Sequence, residues 1–162
     1  TKRATMFMWH EGQAGRGWQE VSSCLLKYIK SLPPTVKKIV AFSDNCGGQN
    51  KSALIVKFWS YVVANTEIES IEHRIFVPGH SFMECDQDFA VIENAKKRSE
   101  REIFVPEDWH RMVAKASRRF MVVKMEYFDF VSLEGPPLDN YLVKKVSGIQ
   151  KMTWFRIEKR NP

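Results

Sequence analysis

The sequence predicts an α/β fold in which short buried strands alternate with amphipathic helices. Two observations predict it. Apolar runs of strand length, at Ala4 to His10, Lys38 to Phe42 and Glu72 to Val77, are separated by segments whose apolar residues recur at helical spacing. Turn-forming residues mark the joints: a glycine-rich stretch from Gly12 to Gly17, then Pro33-Pro34, then Pro78-Gly79-His80. Helices of this length between buried strands are the mark of a mostly parallel sheet.

Each element can be justified in turn. Ala4 to His10 is a short apolar run closed by His10-Glu11 and the glycine-rich turn. From Trp18, the residues Val21, Cys24, Leu25, Tyr28, Ile29 and Leu32 fall on one helical face, and Pro33-Pro34 ends the helix. Lys38 to Phe42 reads as a buried strand leading to Ser43-Asp44. A loop, Asn45 to Asn50, then opens a helix of roughly Ser52 to Ala64 that is apolar on nearly every side and so needs cover on both faces. Glu72 to Val77 is the third strand, and a third helix runs from about Glu84 to Glu100. Beyond Pro106 the pattern changes: helical from Glu107 to Ser117, β-rich from Phe120 to Val131, broken at Gly135-Pro136-Pro137, and alternating again from Ile149 to Lys159. This divides the chain into a core of residues 1–102 and an α+β extension of residues 103–162 packed on it.

The bulk properties narrow the function classes. A hydrophobic fraction of 44%, with five Trp and eleven Phe, is ample for a core in 162 residues. The tryptophans are expected in the core or at an interface. No stretch is long and apolar enough to span a bilayer, so no membrane role is expected. Cys24, Cys46 and Cys85 are odd in number and widely spaced, which suggests neither a zinc site nor a disulfide framework and points to an intracellular setting. The net charge of +6 suits a polyanionic partner. Lys96, Lys97, Arg98 and Arg101 on the third helix, and Arg118-Arg119 after it, could follow a phosphate backbone or simply form a solvated face.

Three acids stand where chemistry collects. Ligands of open α/β sheets gather beyond the carboxyl ends of the strands, and Asp44 sits at such an end with Gly47-Gly48 beside it. It could anchor a metal or form an Asx-turn. Glu20 opens the first helix, facing the sheet edge or complementing the helix dipole. Asp86, in the first turn of the third helix, has the same two readings. Cys85, Phe89 and Ile92 mark that helix's apolar stripe, with Asp86 and Glu93 on an adjacent face and Asp88 turned about 200° away from Asp86, toward solvent. Asp86 and Glu93 are roughly 10 Å apart along the axis, so one metal cluster would use Asp86 or, alternatively, Glu93.

The order of elements and acids resembles the ribonuclease H-like superfamily of transposases and integrases, over residues 4–100. Glu20 in GWQEVSSCLLKYIKSL, Asp44 in KKIVAFSDN, His80 in a Gly-His loop and Asp86 in ECDQDFAVIE carry the likeness. FSDNCGGQNKS together with VPGHSFMECDQDF also resembles a transposon-derived domain family of arthropods. The resemblance implies a mixed sheet flanked by helices, and two-metal phosphodiester cleavage or strand transfer in the nucleus. Two Mg²⁺ or Mn²⁺ ions, about 4 Å apart, would clamp the attacking and leaving oxygens. Asp44, Asp86 and Glu20 would hold them, and His80 would shuttle a proton or position the leaving phosphate. The superfamily's first acid belongs to a strand that would precede Thr1, and it is either upstream or absent from the whole protein, so these residues alone are expected to cleave little or nothing.

Rival readings differ in class. Asp44 to Ser52 lacks the glycine spacing of a P-loop, although Lys51 and the loop amides could hold a phosphate. His80 before Asp86 also suggests a proofreading-type exonuclease. The alternative to an enzyme is a domesticated, inactive domain that binds DNA, RNA, a protein partner or a second copy of itself.

Overall fold

The computed structural model describes residues 3–46, 50–77, 83–133, 135, 141, 146 and 148–159. Over these residues the chain is a mixed α/β protein with four helices and two small sheets, one of them mixed. It divides into two compact units. One comprises Thr1–Gly15 and Phe82–Phe128, the other Arg16–Ser81 and Asp129–Pro162.

In the first unit, β1 (Ala4–Met8) pairs in parallel with β4 (Phe120–Lys124), Ala4 opposite Phe120 and Met8 opposite Lys124. Helices α3 (Glu84–Arg98) and α4 (Pro106–Ala116) pack against each other, and α4 lies against β4. Pro106 starts α4 without loss, because the first helical amide has no partner within the helix anyway. Val113, Phe120 and Met125 are its buried apolar side chains among the described residues.

The second unit holds α1 (Trp18–Lys30), β2 (Lys38–Ser43), α2 (Ala53–Asn65), β3 (Ser70–Ile75) and β5 (Trp154–Glu158). Its sheet runs β2-β3-β5, with β2 and β3 parallel and β5 antiparallel to β3. Helix α2 makes the crossover between the parallel strands. The cover that its apolar character demands comes from within the unit, since α2 packs against α1 and against β3 and β5. Leu26 and Ile29 of α1, Ile55, Phe58, Trp59, Val62 and Val63 of α2, and Ile71 of β3 form one continuous core.

The single sheet expected from sequence gives way, among the described residues, to two, because β1 pairs with β4. β4 and β5, both expected in an extension, pair with strands from before residue 102, one in each unit. β2 is also not buried on both sides: its exposure alternates, and Val40 and Phe42 are each 53% exposed on a strand that is the edge of the sheet among the described residues. The third strand begins and ends two residues early, at Ser70 and Ile75, because its ladder with β2 runs from Lys38–Ser70 to Ser43–Ile75.

Candidate functional site

The C-terminal edge of the parallel pair β2-β3 carries Asp44. Both strands end there, and the Phe76 amide donates to the Ser43 carbonyl (2.9 Å), tying the two chain exits together. Asp44 is half-buried, and its Oδ1 accepts from the Cys46 amide (3.2 Å) and from Asn50 Nδ2 (2.7 Å). The first of these bonds is an Asx-turn, two residues along the chain. Asn50 and Lys51 return their amides to the Cys46 carbonyl at 2.8 and 3.1 Å, which closes the loop at its base.

Lys51, expected as a phosphate contact, is engaged within its own loop. Its side chain is buried, and Nζ donates to Asn45 Oδ1 at 2.8 Å within the same loop. A lone lysine cannot be buried at low cost, and this amide oxygen supplies one partner for the ammonium.

The other acids stand at helix starts. Glu20 returns its carboxylate to the Gly17 amide (2.8 Å) at the head of α1, and Asp86 does the same for the Met83 amide (3.0 Å) at the head of α3. Asp108 repeats the arrangement at α4, accepting from Phe104 and Val105. Each satisfies an amide that the helix leaves unpaired and places negative charge at the positive end of its dipole. Asp44 and Glu20 belong to the second unit, Asp86 and Glu93 to the first, where both are exposed on α3. His80 lies outside the described residues. Among the described residues no three His, Cys, Asp or Glu side chains converge as a metal site requires.

The register expected for α3 is overturned. Asp88, expected in solvent, is the buried member of the helix and pairs with the Arg119 guanidinium, while Phe89 is 60% exposed and Cys85 is exposed. The ion pair explains the inversion: a carboxylate is tolerated inside when a guanidinium meets it. Lys96, Lys97 and Arg98 are exposed in the last turn of α3, with Lys96 Nζ 5.0 Å from the centre of the Trp109 ring, and Arg101 is exposed just beyond.

Sequence reasoning missed the most buried polar group of this edge. His73, at 2% exposure on β3, accepts at Nδ1 from Trp59 Nε1 (3.1 Å), and its Nε2 lies 2.8 Å from Ser43 Oγ. Burial pushes its pKa down to about 4, so the ring is neutral at physiological pH. A signal was present, since His73 alternates with Ile71 and Ile75 on one strand face, the pattern of an inward-pointing residue. Cys24 offers no nucleophile. Burial pushes its thiol up to about 11, which keeps it protonated.

Fold and site together define an α/β chain whose parallel strand pair presents one fixed carboxylate at its C-terminal edge. The chain belongs to the family described as Domain of unknown function (DUF7869), which it matches over residues 3–162. No curated protein and no solved structure matches it. No helix among the described residues is long and apolar enough to cross a membrane.

Proposed function

We propose that this chain is a ribonuclease H-like domain of the transposase or nuclease type, acting on phosphodiesters of DNA, with Asp44 as its central acid. One observation carries the reading. The Asp44 carboxylate is held by Cys46 and Asn50 at the C-terminal edge of a parallel strand pair with a helical crossover, the place where open α/β sheets bind ligands. The net charge of +6 and the exposed Lys96, Lys97, Arg98 and Arg101 are consistent with a phosphate backbone as partner.

The described residues do not make a two-metal centre by themselves. Such a centre needs several carboxylates around ions about 4 Å apart. Here Asp44 is engaged in its own turn, while Glu20 and Asp86 hold helix starts. The same engagement of the acids favours a second reading, an inactive domain of transposon origin that binds nucleic acid or a protein.

Cleavage of single- and double-stranded DNA and RNA by the intact gene product, with Mg²⁺ or Mn²⁺, separates the two. The proposal expects metal-dependent cleavage that disappears in Asp44→Asn. Cleavage that survives Asp44→Asn refutes it. Salt-sensitive binding without cleavage under any metal, unchanged in Asp44→Asn, establishes the binding domain instead.

A further inference from the structure

Beside Asp44 runs a hydrogen-bond chain whose direction is fixed. The Trp59 indole N–H can only donate, so His73 Nδ1 must accept from it. A neutral imidazole then carries its proton on Nε2, which donates to Ser43 Oγ at 2.8 Å. The Ser43 hydroxyl, accepting from His73, donates its own hydrogen to the Asp44 carbonyl oxygen at 3.1 Å. Every polar atom of the His73 ring is thereby matched.

The surroundings leave the ring little else to do. Ala41 faces it from β2, Phe155 from β5 with ring centres 5.2 Å apart, and Trp59 from α2 with ring centres 6.0 Å apart. None of these neighbours carries a charge. A buried histidine in an apolar setting, linked at one end to the core and at the other to the last residue of a strand, transmits the rigidity of the core to that strand end.

We propose that His73 is a positioning residue for Asp44, acting through Ser43 to fix the backbone turn from which the Asp44 carboxylate is presented. The functional weight of that turn rests on the reading of Asp44 given above, but the geometry can be tested without any activity. The Cys46 amide, which donates to Asp44 Oδ1, is the natural reporter.

Amide hydrogen exchange and histidine ¹⁵N spectra of the intact protein provide the test, on the wild type, Ser43→Ala and Ser43→Thr. Ser43→Ala removes only the last link. It is expected to speed exchange at Cys46 about five- to tenfold, the weight of one buried hydrogen bond, while the Ile71 amide in the core is unchanged. Ser43→Thr, which keeps the hydroxyl, should restore protection. The wild-type His73 ring should show the Nε2–H tautomer. Unaltered Cys46 exchange in Ser43→Ala, or an Nδ1–H tautomer, overturns the proposal. Loss of protection at Cys46 in a protein that cleaves nothing leaves the positioning role standing and removes the nuclease reading. Asp44-dependent cleavage with Cys46 exchange indifferent to Ser43 does the reverse.

Discussion

Around α2 the side chains of α1, α2 and β3 close into one core in which Phe58 and Val62 are wholly inaccessible, and one of its buried polar groups, His73, has a partner at each nitrogen. Around α3 the picture is different. Few apolar side chains of that unit are buried, while Phe89, Phe104, Tyr127 and Phe128 are 60–79% exposed. Its interior polar group is not a neutral ring but a charged pair, Asp88 with Arg119. The contrast teaches that helix content says little about where stability resides. Apolar burial does, at roughly 25 cal/mol per Å² removed from water, and it is concentrated in the α2 unit.

The largest effect should come from the α2 core. Phe58→Ala is expected to cost about 3–5 kcal/mol in urea unfolding, whereas Phe89→Ala on α3 should stay within about 1 kcal/mol. Comparable losses at the two positions would break the contrast.

Next in size is the pH dependence of the same unit. The folded-state pKa of His73 is depressed to about 4 from an ordinary 6.5, because burial disfavours the charged ring. Its neutral form is therefore the one folding selects. Above about 6.5 both folded and unfolded rings are neutral. As pH falls from there toward 4 only the unfolded chain gains the proton, and stability drops by on the order of 3 kcal/mol before levelling. Urea midpoints measured across pH 4–7 should slope less steeply in His73→Gln than in the wild type. Parallel slopes would show that His73 is not responsible.

The α3 unit offers the third comparison. Asp88→Asn leaves Arg119 without its counter-charge, and because that guanidinium is one-third exposed the expected loss is about 2 kcal/mol, less than for a fully buried pair. Asp86→Asn, two residues away and exposed, should cost less than half as much. An equal loss at both would mean that α3 is oriented as its apolar spacing suggested. The smallest effect should be that of Glu20→Ala at the head of α1, about 0.5–1 kcal/mol for a lost helix cap. Measured in the presence and absence of Mn²⁺, that value should not change if Glu20 serves the helix alone.

Local rules carried the sequence reading a long way. The spacing of Val21, Cys24 and Ile29, the stop at Pro33-Pro34 and the proline opening α4 gave helices within a residue or two of those observed, because periodicity and capping are properties of short segments. Asp44 at the end of β2, with its Asx-turn, was readable for the same reason. Pairing was not. That β1 lies beside β4, and β5 beside β3, depends on contacts between residues 80 or more positions apart, about which neither periodicity nor turn chemistry holds information. The inversion of α3 has the same origin: apolar spacing placed Phe89 inside, and only the arrival of Arg119 from a distant segment makes Asp88 the better buried neighbour. His73 completes the case. Its place on an inward strand face is written in the alternation of Ser70–Ile75, but its partners come from α2 and from the end of β2, so tertiary structure alone decided that a buried histidine would stand behind Asp44.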